Sequence, residues 1–224
     1  MIENEILSLS EHEYMLFSKK LIPNQDNILG LRAPHAKAIA KKYANTKEGD
    51  SFLNSLPHKY HDENMVHAYM LGYLRCDYLT LKGYVESFLP YLDNWAVCDS
   101  LCASIKNLFK EPTKSYDFLV GLLKSDKTYT VRFSLVCLLD YYINESYIDK
   151  LTCIVKEVKR GEYYINMALA WLISIMLVKE YDKTLPLLKG DALDLWVHNK
   201  SIQKARESYR LSLKQKEELR SLKR

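Results

Sequence analysis

The sequence predicts an all-α fold in which antiparallel helix pairs, similar to HEAT repeats, stack into a curved solenoid with a concave face. Apolar residues recur with helical periodicity along most of the chain, and no segment shows convincing strand alternation. Only 7 of the 224 residues are glycine and 6 are proline. Short connections favour antiparallel neighbours, and helix pairs recur every 35 to 40 residues or so, roughly the HEAT period. A compact helical bundle is the alternative architecture.

The predicted helices follow this periodicity and are separated by turn-forming segments such as PNQDNILG and GD. Pro34 and Pro112 fall in first helical turns, where proline is tolerated. We predict helices over residues 3–20, 34–45, 62–76, 78–91, 94–109, 113–125, 128–143, 146–158, 162–180 and 200–210, with a fraying tail. No linker divides the chain, so we expect a single domain over 1–224 with a basic C-terminal helix and tail at 198–224.

The composition excludes several protein classes. The acidic N-terminal segment MIENEILSLSEHEY lacks the basic start and apolar run of a signal peptide. The apolar run MALAWLISIMLV stops at 12 residues, too short to span a bilayer. We therefore expect a cytoplasmic protein without a membrane partner.

Metal and nucleotide chemistry are not indicated. The five cysteines form no Cys-x-x-Cys motif and are interpreted as small buried hydrophobes. His61 and His67 are not at the i, i+4 spacing of a helix-borne metal pair. The motifs HExxH, GxGxxG, GxSxG, the Walker loop and the EF-hand are absent. We expect no metal site and no nucleotide-dependent reaction.

Positive charge is concentrated at the C-terminus. Residues 198–224 carry nine Lys or Arg and three acids, a net charge of +6. The whole chain has a net charge of +4, so the residues before 198 carry −2. A basic end on a near-neutral body favours a polyanionic partner, although a solvated terminal helix accounts for the same charges.

The segment DNWAVCDSLC at residues 93–102 places a rare tryptophan four residues before an acid. On a helical wheel of residues 94–109, one apolar arc is formed by Val97, Cys98, Leu101, Ile105 and Leu108. A different side carries Trp95, Asp99, Cys102 and Lys106. A tryptophan in that position either packs against a neighbouring helix or faces a ligand, and periodicity alone favours packing.

Two further residues stand out downstream. Arg132 begins an apolar face, where an arginine extends to solvent, forms a structural ion pair, or contacts a phosphate or a catalytic carboxylate. Periodicity places Trp171 in the core, although the small residues Ala168 and Ser174 beside it leave room for a groove. Trp196 is expected to pack the basic terminal segment against the body.

Five segments occur in a characteristic order: GLRAPHAKAIAKKY, LPYLDNWAVCDSLC, YTVRFSLVCLLDYYI, YYINMALAWLI and HNKSIQKARESYR. Together they resemble the AlkD-like DNA alkylation repair proteins, which are bacterial DNA glycosylases built from HEAT-like repeats. The resemblance covers nearly the whole chain. The Trp-x-x-x-Asp element with a downstream Arg and Trp is its most specific part, although the family has an acidic or bulky residue where this chain has Ala96.

The resemblance implies an enzyme that excises cationic N3- or N7-alkylated purines from duplex DNA without a metal or organic cofactor. Asp99 would be the catalytic aspartate, Trp95 and Trp171 would flank the site, and Arg132 would lie near the DNA backbone. The concave face would grip the duplex from its backbone side, with no need to flip the base into a pocket.

This chemistry suits the residues, because a carboxylate can stabilise an oxocarbenium-like sugar and orient water while the cationic purine leaves. The predicted DNA contacts are Lys106, Lys200, Lys204, Arg206 and Arg210. A monomer is expected because one duplex can occupy one concave face. The alternatives are a non-catalytic binder of DNA structures and a helical-repeat scaffold for protein interactions.

Overall fold

The computed structural model describes residues 1–22 and 24–224, and over those residues it is all-helical with no strand. The all-α prediction is confirmed. The described α-helices are α1 Ile2–Leu9, α2 His12–Leu21, α3 Ala33–Tyr43, α4 Lys47–Asn54, α5 His61–Tyr73, α6 Tyr78–Phe88, α7 Trp95–Ser104, α8 Pro112–Leu122, α9 Thr128–Tyr141, α10 Ile148–Glu157, α11 Tyr163–Lys179, α12 Tyr181–Lys189, α13 Leu195–Glu207 and α14 Leu213–Ser221. Residue 23, the first of the PNQDNILG segment, lies outside the described residues.

The chain forms two compact units, Met1–Ser115 and Tyr116–Arg224, with the boundary inside α8. In the first unit, α5 contacts both α3 and α7. In the second unit, α11 contacts both α9 and α13. Packing of every second helix is what stacked helix pairs produce, as in HEAT-like repeats. The single domain over 1–224 stays a prediction.

The predicted helix at 3–20 is divided into α1 and α2. The backbone is extended at Ser10 and Glu11, and the Glu11 N–H donates to the Gly30 carbonyl at 3.1 Å. Gly30 has a φ of +99°, and a Cβ there would lie 2.2 Å from the Glu11 carbonyl oxygen. Only glycine can bring the loop so close, so a long-range contact decides where the first helix ends.

Two helices were missed because they contain residues typical of turns. Gly49 lies inside α4, where a Cβ would meet the Tyr43 carbonyl oxygen at 2.1 Å, and the Thr46 hydroxyl caps the helix. Pro186 lies inside α12, whose end at Gly190 does agree with the predicted punctuation. Close packing against Tyr43 therefore requires a glycine at position 49, although the local propensity of glycine favours a turn.

The C-terminal tail is a packed helix and not a fraying end. Leu219 of α14 is fully buried, and the Tyr181 hydroxyl donates to the Glu218 carboxylate at 3.1 Å. His198 Nε2 lies 2.8 Å from the Leu222 carbonyl oxygen just beyond α14. The prediction of a fraying tail was wrong because tertiary contacts hold this short helix.

Two smaller predictions are tested by burial and helix length. Cys98, Cys102 and Cys137 are buried as predicted, but Cys76 and Cys153 are exposed. Within residues 1–22 and 24–224, no helix combines the length and the apolar character needed to cross a bilayer.

Candidate functional site

The start of α7 is fixed by a buried asparagine. The Asn94 side-chain oxygen accepts hydrogen bonds from the backbone N–H groups of Ala96 and Val97, at 3.0 and 3.1 Å. Its amide nitrogen lies 3.2 Å from Nδ1 of His61 on α5. This cap satisfies the first free donors of the helix and ties its N-terminus to the neighbouring helix. The rotation of the first turns of α7 is therefore well defined.

Trp95 and Asp99 lie one turn apart on α7, and both are partly exposed. Val97, Cys98 and Leu101 are fully buried, as the helical wheel predicted. Cys102 was predicted beside Trp95 but is also fully buried. A helical wheel gives the angle of a residue around the helix axis and not how far neighbouring helices extend, so it set Cys102 apart from the apolar arc although the cysteines were predicted to be buried.

The indole of Trp95 is supported by α2. Its Nε1 donates to the Leu21 carbonyl oxygen at 3.2 Å, so one edge of the ring is anchored. Beside the ring is a small cavity of about 120 Å³, to which Tyr14, Phe17 and Met65 also contribute. Trp95 therefore packs against α2 on one side and remains partly exposed, and its contact with a ligand stays a prediction. The contact between Trp95 and α2 was not predicted from the sequence. In the structure α2 carries three half-exposed apolar residues, Leu16, Phe17 and Leu21.

Lys106 is not on the helix that carries Asp99. The α-helix ends at Ser104, and Ile105 leaves helical geometry with φ −85° and ψ 40°. Lys106 is exposed at the start of a short 3-10 helix, Lys106–Lys110. The predicted helix over 94–109 was therefore too long, and the shared face with Trp95 and Asp99 does not extend to Lys106.

Arg132 is buried in the second unit, with 5% of its surface exposed. Its Nη1 donates to the Tyr164 carbonyl oxygen at 3.0 Å, and its guanidinium carbon lies 6.0 Å from the Tyr164 ring centroid. These contacts join α9 to the first turn of α11. The structure excludes the alternative in which this arginine simply extends to solvent, and its contact with DNA stays a prediction.

Trp171 lies on a partly exposed face of α11, contrary to the core position that periodicity favoured. The residues that share this exposure at helical spacing are Tyr164, Met167, Ile175 and Val178. Ala168 and Ser174, which were expected to leave room for a groove, are both buried. α11 is apolar almost all round, so its sequence does not reveal which side is covered.

The four predicted site residues fall into two pairs. Trp95 and Asp99 share one face of α7 in the unit Met1–Ser115. Arg132 contacts α11, the helix that carries Trp171, in the unit Tyr116–Arg224. Each pair is therefore held on a packed helix of its own unit.

The predicted C-terminal DNA contacts do not share one face. Lys200 and Lys204 are partly exposed one turn apart on α13, and the Lys200 ammonium lies 5.8 Å from the ring centroid of the half-exposed Trp196. Arg206 lies on another side, with a buried Nε that has no partner within the described chain. Arg210 is exposed beyond the end of α13. Trp196 contacts Tyr163 at a centroid distance of 5.9 Å, so it joins α13 to α11.

His67 is buried in the first unit, and the ring of His58 packs against it. His58 Nε2 lies 2.8 Å from His67 Nδ1, and the His67 ring stacks on Phe88 at a centroid distance of 3.9 Å. Burial lowers the pKa of His58 to about 4 and lowers the pKa of His67 well below its ordinary value. Within the part of the chain that the structure describes, no three His, Cys, Asp or Glu side chains are grouped to hold a metal ion.

Comparison with known proteins identifies the family. A family model described as DNA alkylation repair enzyme matches residues 2–210, which include Trp95, Asp99, Arg132 and Trp171. A comparison with curated proteins found no match. The family match covers far more than half of the sequence and ends just before α14. The chain therefore belongs to the DNA alkylation repair enzyme family.

Proposed function

We propose that the protein is a DNA glycosylase that hydrolyses the N-glycosidic bond of cationic N3- or N7-alkylated purines in duplex DNA. The observation that carries this proposal is the family match over residues 2–210, within which Trp95 and Asp99 share a partly exposed face of α7. A partly exposed carboxylate one helical turn from an indole suits this chemistry. No metal or organic cofactor takes part in the proposed reaction.

The Asp99 carboxylate is the proposed catalytic group. An alkylated purine with a positive charge is already a good leaving group, so the difficult step is to stabilise the oxocarbenium-like sugar. The carboxylate supplies a negative charge next to that sugar and accepts a hydrogen bond from the water that attacks it. Water adds to the sugar carbon and releases one proton to solvent, the glycosidic electron pair leaves with the purine and neutralises it, and an abasic site remains.

Trp95 and Trp171 are the proposed walls of the site. Indole faces attract a developing cation and exclude water without forming a covalent bond. The anchored edge of Trp95 supports this role, because a ring held at Leu21 loses little freedom when DNA binds. Arg132 is proposed to face the DNA backbone, while Lys106, Lys200, Lys204, Arg206 and Arg210 contribute phosphate contacts.

Release of 7-methylguanine or 3-methyladenine from alkylated duplex DNA tests the proposal. We expect the wild-type protein to release base, and Asp99→Asn to lower the single-turnover rate by roughly 10²–10³ while DNA affinity stays within about threefold. Asp26→Asn is the matched control, because Asp26 is an exposed acid of the same unit, and it should be fully active.

Three results would count against the proposal. Equal activity of Asp99→Asn and wild type would remove the catalytic role of Asp99. Duplex binding without any base release would favour the non-catalytic DNA binder, and absence of both would favour the interaction scaffold.

A further inference from the structure

A second feature of the first unit is a surface depression of about 240 Å³ across the layer formed by α3, α5 and α7. Each of the three helices contributes to its walls. The lining residues are Lys37 of α3, Tyr69, Gly72 and Tyr73 of α5, and Ala103 and Ser104 of α7. None of these residues was singled out from the sequence.

The depression depends on close packing between α5 and α7. A Cβ at Gly72 would lie 2.6 Å from the Ser104 carbonyl oxygen and 2.9 Å from the Ser104 Cβ. Such contacts are far too short, so only glycine permits this approach. The lining thus combines the small residues Gly72 and Ala103 with larger polar side chains.

A positive charge is held at the edge of the depression. The Lys37 ammonium lies 5.1 Å from the centroid of the Tyr69 ring, a cation–π contact that limits where the flexible side chain goes. No carboxylate of the described residues forms an ion pair with Lys37.

Hydroxyl groups supplement this charge. The Tyr69 hydroxyl lies 3.4 Å from Ser100 Oγ, and either atom can donate to the other. Ser104 Oγ already donates to the Ser100 carbonyl oxygen at 2.6 Å. The Tyr69–Ser100 pair can thus donate one O–H to an anion. The Ser104 hydroxyl is not available because it donates to a carbonyl of its own helix.

The depression shares helix α7 with the proposed catalytic acid. Ala103 follows Asp99 by four residues on α7, so it lies slightly more than one helical turn, about 6 Å, further along nearly the same side. Ser100 is the next residue after Asp99. A group bound at Lys37 and Ser100 would therefore be a close neighbour of a group that contacts the Asp99 carboxylate.

We propose that this depression binds a backbone phosphate of the DNA strand, next to the nucleotide whose sugar faces Asp99, with Lys37 as the charged contact and the one free O–H of the Tyr69–Ser100 pair as the hydroxyl donor. The inference rests on the proposed function and specifies where the strand enters. A phosphate so close to a carboxylate is repelled unless a cation is present, and the ammonium of Lys37 offsets that repulsion. Lysine suits this task because it contacts phosphate as a point charge.

Salt-dependent binding to undamaged duplex DNA tests the subsite. For Lys37→Met we expect affinity about fivefold to tenfold lower at moderate salt, and a slope of log affinity against log salt reduced by about 0.9. Lys47→Met is the matched control, because Lys47 is an exposed lysine of the same unit on α4, and it should keep the wild-type slope. Tyr69→Phe should weaken binding about twofold to threefold, since only a hydroxyl is removed.

Single-turnover base release separates this subsite from the reaction itself. Lys37→Met should raise the protein concentration that gives half-maximal rate by the same factor and leave the plateau rate within about twofold. If Lys37→Met and Lys47→Met behave alike while wild type releases base, the subsite is refuted and the glycosylase proposal stands. If Lys37→Met alters the salt slope but wild type releases no base, the subsite stands and the glycosylase proposal fails.

Discussion

The central helices of the two units, α5 and α11, are built from different residues. Both lie between two other helices of their unit. The N-terminal half of α5 nevertheless buries five polar residues, which are His61, Asp62, Glu63, Asn64 and His67. Within the described residues, Ser174 is the one polar side chain that α11 buries. Helices at equivalent places in the two units can therefore be buried through different types of residue.

The polar groups of α5 hold segments that are distant in sequence. The Asp62 carboxylate accepts hydrogen bonds from the backbone N–H groups of Leu29, Gly30 and Leu31, at 2.6, 3.1 and 2.6 Å. His61 contacts Asn94, the cap of α7. By contrast, the Ser174 hydroxyl donates to the Trp171 carbonyl of its own helix at 2.7 Å. α5 thus helps to position Trp95 and Asp99 through the contact of His61 with the cap of α7. α11, which carries Trp171, is held mainly by apolar packing.

We expect this difference to have its largest effect on the free energy of unfolding at Asp62. Asp62→Ala removes the acceptor of three backbone N–H groups, two of them buried, and we expect a loss of roughly 3 kcal/mol in the free energy of unfolding. Urea unfolding of the intact protein measures this loss. Asp26→Ala, which removes an exposed acid from the same loop region, should change stability by no more than about 0.5 kcal/mol. Similar values for both variants would refute the role assigned to Asp62.

Acid should destabilise the first unit selectively. The pKa of His58 falls from 6.5 to about 4 on folding, because burial disfavours the charged ring. The unfolded chain therefore binds more protons below about pH 6.5, so stability present above that pH is lost progressively towards about pH 4. Between about pH 7.5 and pH 5 we expect a loss of roughly 2 kcal/mol from His58.

Hydrogen exchange resolved along the chain measures this loss. Protection of α5 should fall on acidification while protection of α11 changes little. His58→Gln keeps a hydrogen-bonding side chain but cannot titrate, so its stability should depend less on pH. An equal acid response in α5 and α11, or an unchanged response in His58→Gln, would contradict the comparison.

The smallest effect is expected at Ser174. Its hydroxyl satisfies only a carbonyl of its own helix, so Ser174→Ala should cost no more than about 1 kcal/mol in urea unfolding. A loss as large as that of Asp62→Ala would show that the two helices are less different than their contacts indicate.

Local sequence was a good guide where the relevant interactions are local. The all-α class, most helix positions, and the separation of Trp95 and Asp99 from the apolar arc follow from a rotation of about 100° per residue. The family resemblance was also available from ordered motifs alone, and the family match confirms it. The roles of Asp99, Trp95, Trp171 and Arg132 stay predictions.

The sequence was a poor guide where distant segments meet. The GD segment at Gly49 was interpreted as a break and no helix was predicted around Pro186, although both residues lie inside helices. Asp62 would be placed on the surface by its charge, yet backbone donors from the segment before α3 make its burial favourable. No spacing rule connects these positions along the chain.

By itself, the sequence determined the helical class, the approximate helices and the family, because periodicity and ordered motifs are properties of neighbouring residues. Only the tertiary structure decided that Arg132 is anchored to Tyr164, that Lys106 leaves the face of Asp99, and that Lys37 meets Tyr69 beside Ser100. These arrangements depend on how closely packed helices approach each other. That approach is set by side chains and backbone groups far apart in the sequence.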